Sequence, residues 1–191
     1  MIRSIKPTAV KAMVLAACAG ASWAGGWTDA VEVRHDLERC VSYRARLSGE
    51  YLVVEATHEA GWHTNAMDNQ RRAKEKLAGR EPLGIDSPTE IRVSEGLEVT
   101  GPWYQTPPKD ASKPELQWFT WVFEQRAIFV AKVRRSGSGP ARIAVRGQAC
   151  TETTCKKIDV TISLALAASR SGAGRSDIDF KTLVPVRESA R

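Results

Sequence analysis

The run Cys150-Thr151-Glu152-Thr153-Thr154-Cys155-Lys156-Lys157-Ile158-Asp159-Val160-Thr161-Ile162-Ser163-Leu164-Ala165-Leu166 fixes the fold class. Ile158, Val160, Ile162, Leu164 and Leu166 alternate with Lys157, Asp159, Thr161 and Ser163. Apolar residues at every second position mark a strand with one face against a core. Just upstream, Ala141–Arg146 reads as another strand, so the six residues from Cys150 to Cys155 lie at the tip of an antiparallel hairpin. Facing positions on such strands have Cα atoms ~4.5–5.5 Å apart, so the two cysteines are within bonding reach.

The same period recurs upstream. In Cys40–Leu47, Val41, Tyr43, Ala45 and Leu47 oppose Ser42, Arg44 and Arg46. Tyr51–Thr57 is a second strand. Ile91 and Val93 mark a third, continued by Leu97–Val99. Leu116–Phe123 is apolar on both faces, as a central strand would be, and Ala127–Val133 follows after a turn. Short strands separated by turn signals predict an all-β, immunoglobulin-like β-sandwich. One helical insertion interrupts it: Asn65 to Ala78 has no β-branched residue and stops at Gly79. Gly101 to Pro108 reads as a rigid loop and Gly137-Ser138-Gly139-Pro140 as a hairpin turn.

The chain of 191 residues suits one domain. Residues 1–24 read as a signal peptide: Arg3, Lys6 and Lys11 precede the apolar run Ala12–Ala21, and Ser22-Trp23-Ala24 is a small-x-small cleavage site. Leu15-Ala16-Ala17-Cys18 also fits a lipobox, which would place a lipid anchor on Cys18. The domain is expected over 27–168, with a flexible tail over 169–191. No apolar run after the N-terminus reaches the ~20 residues of a membrane span. The formal charge of +6 falls to +3 once residues 1–24 are set aside, with basic residues scattered among acidic ones. That balance does not favour a nucleic-acid partner. Export to the periplasm gives an oxidising environment, where cysteines form disulfides.

Three cysteines remain after the leader: Cys40, Cys150 and Cys155. Cys40 opens a strand on the face opposite Val41 and Tyr43; it reads first as a packing cysteine, since a buried free thiol behaves as a small hydrophobe, with an intermolecular partner or a resolving thiol as the other readings. For Cys150 and Cys155 two uses stand side by side. A staple would constrain the unfolded chain by only about 2 kcal/mol for so short a loop. An exchanging bond would gain from Arg146, Lys156 and Lys157, since cations favour the thiolate. The x₄ spacing does not match a zinc site. His58, His63 and Met67 offer imidazole and thioether groups that suit copper, but at no standard spacing. Trp62, Trp103, Trp118 and Trp121 read as core and rim residues. No nucleophile elbow, phosphate loop or metalloprotease helix is present in the sequence.

The order of several short motifs resembles the N-terminal domain of the thiol:disulfide interchange protein DsbD, the disulfide bond corrector domain family. These are Gly61-Trp62-His63, Pro88-Thr89-Glu90-Ile91, Gly96-Leu97-Glu98-Val99 running into Gly101-Pro102-Trp103-Tyr104, and Val145-Arg146-Gly147-Gln148-Ala149-Cys150 with Cys155 close behind. Together they cover roughly 40–167. The resemblance implies an immunoglobulin-like fold that carries reducing equivalents in the periplasm without a cofactor, as a component of protein-disulfide reduction. It implies Cys150 and Cys155 as the redox pair, Cys155 as the residue that forms mixed disulfides, and thioredoxin-like donors or acceptors as partners. It also implies an aromatic cap loop, for which residues 65–80 or 101–108 are the candidates. The chain departs from the family in its x₄ spacing and in having Lys156-Lys157 where a tyrosine-proline run is usual.

Overall fold

The computed structural model describes residues 26–81, 86–166 and 176–187. The expected signal peptide, with Cys18, lies outside the described residues. In chain order the elements are β1 (Val31–His35), β2 (Glu38–Ser48), β3 (Tyr51–His58), β4 (His63–Asn65), α1 (Asn69–Lys76), β5 (Glu90–Glu95), β6 (Leu97–Gln105), β7 (Lys109–Asp110), β8 (Trp121–Glu124), β9 (Arg126–Arg135), β10 (Ala141–Cys150), β11 (Cys155–Leu164) and β12 (Val184–Pro185). They form two sheets. The first runs β1-β2-β3-β9-β6-β12, the second β11-β10-β4-β8-β7, with β5 also paired to β10. The named strand pairs are antiparallel. The expected all-β immunoglobulin-like sandwich is the fold observed.

The alternating residues do what their period requires. Tyr43, Ala45, Leu52, Val54, Ala56 and Phe129 from the first sheet meet Ile143, Val145, Ile158 and Ile162 from the second in one buried cluster. Phe123 and Phe129 touch edge to face across it, ring centroids 5.4 Å apart. Burying side chains of this size contributes about 1.5–3 kcal/mol each. Among the described residues, no helix is long and apolar enough to cross a membrane.

Four expectations are corrected. Ile91 to Val99 is not one strand. The chain passes from β5 in the second sheet to β6 in the first at Gly96, where a Cβ would fall 2.3 Å from the Gly139 carbonyl oxygen. Gly101 to Gln105 is strand, not loop. The ladder of β6 on β9 breaks between Val99 and Trp103, so Pro102 withholds no N–H that the sheet needs. Leu116 to Phe123 is not a central strand: Gln117 adopts a left-handed φ of 53° after a 3₁₀ turn, Leu116 is exposed, and only Trp121–Glu124 joins the sheet. Residues 136–140 form no hairpin, since β9 and β10 belong to different sheets.

The helix is shorter than expected. Asn65 ends β4 and Asn69 begins α1, both buried. The Asn69 side-chain oxygen accepts from the Trp121 N–H at 2.7 Å, and the Asp68 carboxylate accepts from Gln105 and Arg72. The tail also differs from expectation. Residues 176–187 return to the sandwich, with β12 paired to β6 and Asp177 holding Arg46 and Ser48. A polar, glycine-poor segment with Phe180 against Tyr51 and Tyr104 has partners enough to stay docked.

Candidate functional site

Cys150 and Cys155 close a disulfide. The hairpin of β10 and β11 keeps unbroken register from Ala141↔Leu164 to Cys150↔Cys155, which sets the two cysteines opposite each other at its tip. Just beyond, the Thr151 N–H donates to the Thr154 carbonyl at 2.8 Å. The cysteines therefore occupy the closely spaced kind of rung, and their Cα atoms stand 4.0 Å apart.

The face they occupy follows from the alternation. Ile143, Val145 and Ala149 of β10 belong to the core cluster. Cys150, one residue on, lies on the outer face and outside that cluster. It is nonetheless covered, at 4% exposure, whereas Cys155 is exposed. One sulfur-bearing residue is thus presented to solvent and the other is screened. Lys156, on the opposite face of β11 from Cys155, helps little; Arg146 and Lys157 both lie against Asp159, at 3.4 and 3.9 Å. The positive charge expected around the sulfurs is thereby partly neutralised.

On its other side, β10 pairs with two strands placed end to end. β5 takes Ala141 to Arg146, and β4 takes Ala149 and Cys150. The exchange falls at Gly147, whose φ of 145° lies outside the range of ordinary side chains. A Cβ there would sit 2.9 Å from the Pro88 carbonyl oxygen. This places His63 directly opposite Cys150, and Glu124 of β8 directly opposite His63. Lys109 of β7 reaches Glu124 at 3.0 Å. Cys155, Cys150, His63 and Glu124 therefore form one row across the outer face of the second sheet.

His63 is half-buried, and burial lowers its pKa, with Glu124 and Asp86 opposing and Lys109 assisting. His58, on β3, points inward, where its Nε2 lies 2.9 Å from the Thr64 hydroxyl. A layer of sheet separates the two imidazoles, and Met67 packs against the core. His58, His63 and Met67 do not converge as a copper site would require. Among the described residues, no group of three His, Cys, Asp or Glu could hold a metal.

Cys40 is free and buried. Its burial comes from an irregularity the alternation could not reveal: Val33 pairs with Val41 but Arg34 with Arg39, so Cys40 is the extra residue of a β-bulge. It turns into the core beside Val41 instead of away from it. Burial pushes its thiol pKa up. The two cap candidates are held by other parts of the sandwich. Residues 101–105 belong to the other sheet, and α1 is anchored on β8 and β6.

No protein-family model matches the sequence, and no curated protein matches it. Solved structures do, among them the following two. The N-terminal periplasmic domain of ScsB from Proteus mirabilis aligns at a TM-score of 0.52 and 14% identity, over 83% of this chain and 56% of that one. The N-terminal domain of Neisseria meningitidis DsbD, in its reduced form, aligns at 0.38 and 8%, over 64% of this chain and 82% of that one. The chain spans a little over half the length of the ScsB domain. The likeness to that domain is one of fold, and it is the fold that the sequence resemblance implied.

Proposed function

We propose that the chain is an exported thiol–disulfide exchange module that passes reducing equivalents to or from partner proteins through Cys150 and Cys155. The observation that carries this is the asymmetry of the bond, with Cys155 exposed and Cys150 covered. A partner thiolate attacks the Cys155 sulfur, the Cys150–Cys155 bond breaks, and Cys150 leaves as a thiolate and takes up a proton. A second partner thiol then attacks the partner's own sulfur in the mixed disulfide and frees Cys155. The partner dithiol is oxidised, this chain is reduced by two electrons, and no cofactor takes part. The reverse sequence delivers the electrons.

A purely structural bond has less to recommend it. The hairpin already holds an unbroken ladder of ten rungs, and closing its loop constrains the unfolded chain by only about 2 kcal/mol. The leader-like residues 1–24 and the periplasmic origin of the ScsB domain support export to the periplasm, with thioredoxin-like proteins as the class of partner.

The test is trapping. Cys150→Ala, expressed with its own leader, is expected to form a mixed disulfide that disappears on non-reducing gels when Cys155 is also replaced. Oxidised wild type is expected to be reduced by a reduced thioredoxin-like donor. No Cys155-dependent adduct, together with a bond that resists such donors, would overturn the reading and leave a binding module with a hairpin staple.

A further inference from the structure

We propose that His63 is the proton-transfer residue of this exchange, giving a proton to the Cys150 sulfur as the bond opens and taking it back as the bond closes. The inference rests on the exchange reading above. It is carried by the register: His63 and Cys150 are directly opposed on β4 and β10. Opposed residues of an antiparallel pair share a face, with Cβ atoms ~4.5–5.5 Å apart. That separation leaves room for one imidazole nitrogen to reach a thiol.

The need for such a group follows from the burial. Cys150 is covered, so a thiolate formed there when the bond opens has little water to stabilise it. When the bond closes, the Cys150 thiol must lose its proton before it can attack the Cys155 sulfur of a mixed disulfide. Solvent is poorly placed for both transfers, and a half-buried imidazole on the neighbouring strand is well placed. The balance is complete. On opening, the imidazolium loses the proton that Cys150 gains; on closing, neutral His63 accepts it, the Cys150 thiolate bonds to Cys155, and the partner leaves as a thiolate.

The groups facing His63 set the range in which it works. Burial favours the neutral, accepting ring, while Glu124 on β8 and Asp86 favour the charged, donating one. Lys109 on β7 acts against the charged form and is itself engaged by Glu124. His58 lies behind the sheet and is neutral, since burial holds its pKa at about 4.

The full chain, reduced with dithiothreitol and freed of it, is mixed with less than one equivalent of 5,5′-dithiobis(2-nitrobenzoate). Attack by Cys155 releases one nitrothiolate, and ring closure by Cys150 releases the second. In wild type the rate of the second release is expected to rise through an inflection below about pH 6.5, where the imidazole loses its proton. In His63→Gln it is expected to fall about tenfold or more at pH 7. It should then keep rising until the thiol itself titrates, with the first release unchanged. Glu124→Gln, at an exposed position, is expected to move the wild-type inflection to lower pH.

An unaltered second phase in His63→Gln overturns the proposal. So does a slower one that keeps the wild-type inflection, because that is a packing effect. If His63→Gln does not fold, Glu124→Gln decides: a shifted inflection supports the proposal and an unmoved one overturns it. The probe is a small molecule, so a missing protein adduct counts against the exchange reading alone.

Discussion

His58 shows how a single buried side chain makes this molecule sensitive to acid. Its Nδ1 faces the Gln125 carbonyl at 3.3 Å, which can only accept, so the proton sits on Nδ1. Nε2 is then left to accept from the Thr64 hydroxyl. Burial depresses the pKa to about 4, against an unfolded value near 6.5. Below about pH 6.5 the unfolded chain binds a proton that the folded chain refuses until about pH 4. Stability is therefore full above the upper value and falls as pH drops across that window, by about 3 kcal/mol. Urea unfolding at pH 7 and at pH 4.5 should show the loss, and His58→Gln should remove most of the slope, leaving the part that belongs to His63. Equal wild-type stability at both values would refute this account.

At the scale of elements, the sequence was most informative where period two was uninterrupted. β2, β10 and β11 could be read from alternation, β3 and β9 from short apolar runs, and the opposed cysteines from the hairpin they cap. It failed where a local backbone event redirected the chain. Gly96 moves it between sheets, Gln117 turns it left-handed just ahead of the aromatic run, and the bulge at Cys40 turns a side chain inward. His63 was visible as part of a motif and as a candidate copper ligand, but not as the neighbour of Cys150, because its partner on β10 lies far away in sequence. Gly147 is the joint that makes that pairing possible. Gly147→Ala would force a Cβ toward the Pro88 carbonyl at a φ of 145°. The strain is expected to cost about 1–3 kcal/mol. It should also detach β4 from the end of β10, which would appear as faster amide exchange at Cys150 than in wild type. Wild-type stability and exchange in this variant would show that the strand hand-over does not depend on glycine.

For the whole molecule, the returning C-terminal segment matters more than its length suggests. Its Arg187 N–H donates to Asp68 at 3.2 Å, and Asp177 binds Arg46 at 2.9 Å. Burial tends to raise the Asp68 pKa, but Arg72, Gln105 and Arg187 outweigh it and hold the carboxyl below its ordinary value. A depressed carboxylate stabilises the fold above its unfolded pKa, and that contribution is lost as pH falls below about 4. Removing residues 176–191 should lower the melting temperature by roughly 4–8 °C, or about 2 kcal/mol. It should also weaken the dependence on pH below 4. A truncated chain that melts with the full one would show the segment to be passive.

The cystine sits on the outside of its sheet, and the residues that fill the space between the sheets belong to the other face. Opening it withdraws nothing from that space. Under the proposed exchange, the domain would be charged and discharged as a solid object, its interior blind to whether the outer latch is open or shut.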